Sequence, residues 1–192
     1  ARTNFTTGSE DIELYSQQRV STTANAGVAP DGNQTADLVT ENTESAGHYV
    51  GRSVSAWTAG KTYTMSIFAK ENPNHLNKRY LSICGVTASF GVTVACAFDL
   101  TGEGSYQLLN AGTNPSAAIT RMANGWYRCS FTVDATVTTA SGVQYRYTDD
   151  QSVAVKNYQG DGVSGFYLWG AQTEEGAFPS SYIQTPSGST VT

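Results

Sequence analysis

Apolar and polar residues alternate along most of this chain with a period of two, the period of an extended strand whose successive side chains leave opposite faces. The pattern is plainest over residues 61–70, KTYTMSIFAK, where Tyr63, Met65, Ile67 and Ala69 share one face and Thr62, Thr64, Ser66, Phe68 and Lys70 the other. It returns over 126–133, WYRCSFTV, with Tyr127, Cys129, Phe131 and Val133 set against Trp126, Arg128, Ser130 and Thr132. Over 143–148, Val143, Tyr145 and Tyr147 oppose Gln144, Arg146 and Thr148. Residues 166–169 are apolar on both parities, Phe166 and Leu168 one way and Tyr167 and Trp169 the other, as in a central strand covered on both faces. Shorter strands are predicted at 18–22, 35–40, 48–55, 105–109 and 117–121, with a hairpin over 80–86 and 91–98. Turn signals such as Asp31-Gly32-Asn33 and Asn124-Gly125 separate them. No apolar spacing of three and four persists over ten residues, so no helix is predicted.

About ten short strands cannot bury their apolar faces in one flat sheet, which predicts an all-β, two-sheet antiparallel sandwich. The long connections at 70–79 and 148–164 suit Greek-key crossings, hence a jelly roll, here a single domain over 1–192. Tyr63, Met65, Ile67, Tyr127, Cys129, Phe131, Phe166 and Leu168 are its expected core. The turn-rich segment 1–30 reads as an edge wrapping that domain.

Composition narrows the function. Charged residues are only 14% and the net charge is −5, which argues against a nucleic-acid partner, since binding a phosphate backbone needs a basic surface. The apolar windows are too short to cross a bilayer and no charged-then-apolar leader opens the chain, so no membrane insertion is expected. Three cysteines, Cys84, Cys96 and Cys129, lie in apolar runs without metal-binding spacing and are expected free and buried. A Cys84–Cys96 disulfide across the hairpin is the alternative. Asn4-Phe5-Thr6 and Asn33-Gln34-Thr35 match the glycosylation sequon, a short and common motif.

Candidate chemistry is sparse. GDGVSG at 160–165 matches G-x-G-x-x-G, but a strand follows it where a dinucleotide site needs a helix, so it reads as a glycine turn. His48 and His75 are the only histidines and no G-x-S-x-G elbow accompanies them, so no hydrolytic triad is expected. Asp149, Asp150, Asp161, Glu174 and Glu175 could supply a carboxylate pair, but adjacent acids in polar turns are more often solvated surface. The chain is expected not to be an enzyme.

Five pieces, Ala1-Arg2-Thr3-Asn4, APDGNQTADLVTE, AGKTYTMSIFAK, NGWYRCSF and GDGVSGFYLWGAQTEEGAFPSSYIQT, occur in an order that resembles a jelly-roll module of tailed-phage structural proteins, similar in turn to bacterial carbohydrate-binding modules. The resemblance spans nearly the whole chain and departs at Asn4-Phe5-Thr6, where an apolar Asn-Leu-Leu is expected. It implies a non-catalytic module that holds a host-surface glycan on a virion or fibre, at the virion surface or otherwise extracellular. The alternatives are a structural virion part such as a capsid decoration, working through other virion proteins or as a homo-oligomer, and an appendage of a polysaccharide-degrading enzyme. It also implies a structural calcium held by oxygen ligands from the N-terminal segment and the last strand, with Glu10, Asp11 and Glu174 or Glu175 as candidates.

The alternation then nominates a binding face. If Tyr127, Cys129 and Phe131 point inward, Trp126 and Arg128 point out, and Gln144 and Arg146 do likewise opposite Val143 and Tyr145. These four, with Tyr158 and Asp161 on the adjoining loop, are the expected glycan contacts: a flat aromatic platform beside guanidinium donors. The same pattern admits another arrangement, with Trp126 covered by a loop or a neighbouring subunit and the arginines in surface ion pairs.

Overall fold

The alternating segments form two six-stranded antiparallel sheets packed face to face. The computed structural model describes residues 2–110, 112–153 and 155–192, with the side chains of Ser55 and Ala56 outside that description. Ala1, the first residue of the N-terminal piece noted above, therefore lies outside the described residues. The strands are β1 (Ser16–Gln18), β2 (Val20–Gly27), β3 (Ala36–Glu41), β4 (Ser45–Ala46), β5 (His48–Trp57), β6 (Thr62–Glu71) and β7 (Tyr80–Gly85), followed by β8 (Val94–Asp99), β9 (Ser105–Leu109), β10 (Thr113–Arg121), β11 (Tyr127–Asp134), β12 (Thr139–Thr148), β13 (Tyr158–Gln159) and β14 (Gly165–Glu175). The first sheet runs β1-β5-β12-β7-β8-β9 and the second β10-β11-β6-β14-β3-β2, while β13 pairs only with β4. Sequence neighbours are thus split between sheets, as in a jelly roll, and the 148–164 connection carries the chain from the first sheet to the second.

Every residue expected in the core is there. Met65, Ile67, Cys129, Phe131 and Leu168 have no exposed surface, and Tyr63, Tyr127 and Phe166 join them between the sheets with Val143, Tyr145 and Tyr147 of the first. The register that does this sets Ile67 opposite Cys129 and Met65 opposite Phe131, so a one-residue slip would turn this whole set out of the core. The outer side of the second sheet carries a smaller apolar layer of Ala29, Ala36, Phe68, Trp126 and Trp169, with Tyr167 and Tyr182 packed against it. This second layer is why residues 166–169 are apolar on both parities.

Three details differ from expectation. Residues 18–22 are not one strand: Arg19, at φ 54, breaks them so that β1 joins the first sheet and β2 the second. A single helical turn, Thr87–Phe90, interrupts the 80–98 hairpin and is too short for periodicity to reveal. The disulfide is excluded by register, because Cys84 stands opposite Ala95 and Cys96 opposite Ile83, which points the two sulfurs to opposite faces. All three cysteines are free and buried. Asn4 of the sequon is fully buried, its amide donating to the Ala171 and Ile183 carbonyls while its side-chain oxygen accepts from the Thr6 and Thr173 N–H groups.

Candidate functional site

The four residues expected on one outer face, Trp126, Arg128, Gln144 and Arg146, do not share it. Trp126 and Arg128 belong to the second sheet and Gln144 and Arg146 to the first, because alternation tells which side of its own sheet a residue occupies and not which sheet that is. Arg128 is committed to structure. Its Nη2 donates to the Ser180 carbonyl at 2.7 Å and its guanidinium lies 5.2 Å from the Phe68 ring centroid, which pins the C-terminal segment across the sheet. Burial pulls its pKa down. On the first sheet Arg146 lies 4.4 Å from the Tyr49 ring centroid and donates to the Gln144 amide oxygen at 2.8 Å. A depression of about 210 Å3 adjoins Gln144, with Gly51, Gly142, Ser16 and Ser53 among its lining.

Tyr158 and Asp161 are drawn inward, into a buried ion cluster. The Glu41 carboxylate accepts from Arg79 Nε at 2.8 Å and Nη2 at 2.6 Å, from the Tyr158 hydroxyl at 2.5 Å and from the Asp161 N–H at 2.9 Å. Burial would raise the Asp161 pKa, but bonds from the Ser164 hydroxyl and N–H, Asn77 and the Val163 N–H outweigh it and hold the carboxyl well below the usual range. The cluster fastens the 158–164 loop to β3 and to the start of β7, so these residues hold the loop that precedes β14. The glycine turn has the same purpose. A Cβ on Gly160 would stand 1.9 Å from the Asn42 carbonyl oxygen and one on Gly165 2.0 Å from that of Val39, and β14 follows where a nucleotide site would need a helix.

The expected calcium ligands are not brought together. Glu174 is buried and bonded to Arg2 at 3.0 Å, to the Ser180 hydroxyl at 2.6 Å and to Gln172 at 3.1 Å. Glu10 instead accepts from the Tyr182 hydroxyl, Asp11 from the Ser187 hydroxyl, and Glu175 pairs with Lys61. Among the described residues no group of three or more His, Cys, Asp or Glu side chains is placed to hold a metal ion. Of the acids considered for catalysis, Asp149 pairs with Lys156 at 2.8 Å and Asp150 accepts from the Ser152 hydroxyl and N–H.

What the fold does assemble is a hollow around Trp126. Tyr127 pairs with Ala69, so Trp126 stands level with Lys70, and Lys70 pairs with Tyr167 of β14; the three form one row on the outer side of the second sheet. Asn124 and Gly125, at φ 58 and 78, make the tight turn that brings Trp126 into this row. The indole is 2% exposed and its Nε1 donates to the Val28 carbonyl at 3.2 Å, so it serves as a wall and not as the open platform expected. Tyr167 packs against Gly27, where a Cβ would stand 2.8 Å from two ring carbons. Trp126, Tyr167, Lys70, Pro73, Val28 and Gly27 line a hollow of about 140 Å3. A second hollow of about 110 Å3 lies on the other side of Trp126 and Val28, against Pro30, Met122 and Asn124. Sequence reasoning reached Trp126 but missed Tyr167 and Lys70. Their outward parity in 61–70 and 166–169 was the available signal, and the strand pairing that sets them beside Trp126 was not.

No family model matches the chain, and no curated protein sequence matches it. The solved structures that match this chain include the following two. One is the enzymatically active domain of tailspike protein 4 of bacteriophage CBA120, at 11% identity and a TM-score of 0.48 over 90% of this chain. The other is the CBM22-1–GH10 modules of Clostridium thermocellum endo-1,4-β-D-xylanase 10B complexed with xylohexaose, at 13% identity and a TM-score of 0.41 over 96% of this chain. The chain spans 21% of the first of these chains and 30% of the second.

Proposed function

We propose that this chain is a non-catalytic glycan-binding module that attaches a phage virion or fibre protein to host-surface polysaccharide through the paired hollows beside Trp126. The observation that carries the reading is the row Trp126–Lys70–Tyr167, two aromatic residues flanking one lysine on the outer side of a sheet. Sugars present apolar C–H faces edged by hydroxyls, and aromatic side chains with a few convergent polar groups are what recognises them. Each hollow is smaller than the ~300–1,000 Å3 of a drug-sized cleft, which suits one ring per hollow and a chain of sugars crossing the Trp126–Val28 divide. The resemblance of the sequence segments to phage jelly-roll modules supports a host polysaccharide as ligand and the virion surface as location.

The test is a glycan array probed with the purified domain, with hits remeasured on Tyr167→Ala. Tyr167 is half-buried at the rim, so this variant is expected to fold and to lose about tenfold or more in affinity, as aromatic anchors do when truncated. A folded Tyr167→Ala that binds the hit like the wild type, or an array without a hit, overturns the reading.

A further inference from the structure

The charges around the hollow between Trp126 and Tyr167 bear on the kind of sugar that enters it. Sixteen acidic residues outnumber eleven basic ones, so a lysine on this surface has ample opportunity to find a carboxylate. Three of the four lysines do: Lys61 with Glu175 at 2.9 Å, Lys78 with Asp99 at 2.5 Å and Lys156 with Asp149 at 2.8 Å. The Lys70 side chain has no ion pair and no hydrogen bond among the described residues, and it is the lysine that lines the hollow. Its neighbours in the row are aromatic, its stem passes 3.7 Å from where a Gly125 Cβ would stand, and Glu71, the next residue in β6, points to the other face, where it approaches Lys78 at 3.8 Å.

A lysine set in one row between two aromatic residues, half-buried and without an ion pair among the described residues, is complementary to a ligand with an apolar face and one anionic group. We infer that the hollow takes a carboxylate-bearing sugar, a uronic or nonulosonic acid residue of the host polysaccharide, with its ring against Tyr167 at the rim and its carboxylate on Lys70 Nζ. This rests on the glycan-binding reading and narrows it to acidic saccharides. A lysine suits the role because its compact charge on a flexible stem follows a carboxylate without requiring a fixed bidentate geometry. It also gives an acidic protein a local attraction for an acidic polymer that the net charge alone would oppose.

The experiment compares polygalacturonate, alginate, hyaluronate and polysialic acid, each beside its carboxyl-reduced neutral form, for binding to the wild type, Lys70→Gln and Lys70→Arg. At least one acidic polymer is expected to bind, and its carboxyl-reduced form about tenfold or more weaker, the loss of one charge-assisted hydrogen bond. Lys70→Gln should bind the acidic polymer as weakly as the wild type binds the reduced one, with an unchanged melting temperature because the side chain bonds to nothing in the fold. Lys70→Arg should restore most of the preference. Equal binding of acidic and reduced forms, or wild-type affinity in Lys70→Gln, overturns the acidic assignment while leaving glycan binding in place. Failure of every polymer, together with an array without a hit, overturns both.

Discussion

Glu41→Ala is expected to be among the most damaging single changes in the domain, although the residue does not line the Trp126 hollow. The Glu41 side chain has no exposed surface and that of Arg79 is 7% exposed, so the two charges face each other out of water. Four donors converge on the carboxylate: Nε and Nη2 of Arg79, the Tyr158 hydroxyl and the Asp161 N–H. Truncation leaves Arg79 with Asp161 at 3.5 Å and the Lys78 carbonyl at 3.0 Å, and leaves the Tyr158 hydroxyl without its acceptor. Removing one member of a buried, hydrogen-bonded pair costs about 3–5 kcal/mol. For a chain of this size that corresponds to a fall of ~6–20 °C in melting temperature. Urea denaturation of wild type, Glu41→Ala, Arg79→Met and the Glu41→Met/Arg79→Met double variant measures it. The double variant should be less destabilised than the two single losses summed, because replacing both charges with apolar groups of similar volume removes the desolvation cost with the pair. A cost below about 1 kcal/mol for Glu41→Ala, or strict additivity in the double variant, would show that the cluster is solvated and does not hold the 158–164 loop.

Two further outcomes follow from buried groups elsewhere. Burial, followed by the Glu13 carboxyl, raises the Asp37 pKa from 3.8 to about 7, so the folded state takes up a proton; the associated stability is full below about pH 4 and is lost as pH rises through 7. The wild-type melting temperature should therefore drop more between pH 5 and 8 than that of Asp37→Asn, and equal pH dependence of the two would refute the assignment. Burial also pushes the Cys84 thiol up to about 12 and raises those of Cys96 and Cys129, so alkylation at pH 8 followed by mass spectrometry should label all three only after unfolding. Rapid labelling in the native state would contradict their burial.

The sequence by itself determined the longer strands, their inward faces and the sandwich class, because a period of two and a half-buried sheet are the same physical fact seen along the chain and across it. Ile67, Phe131 and Leu168 were legible as core for that reason, and so was the second apolar parity at Tyr167 and Trp169. Tertiary structure alone decided which strands lie side by side. Trp126 and Gln144 have the same outward parity, yet the jelly-roll crossings send them to different sheets, and the 28–30 segment closes over the indole. Glu41 and Arg79 stand 38 residues apart in sequence, and nothing local marks them as partners or pulls Tyr158 and Asp161 inward to join them. Alternation is a property of one strand's backbone, whereas these contacts arise from closing long loops around a shared core, a step whose outcome depends on every strand at once.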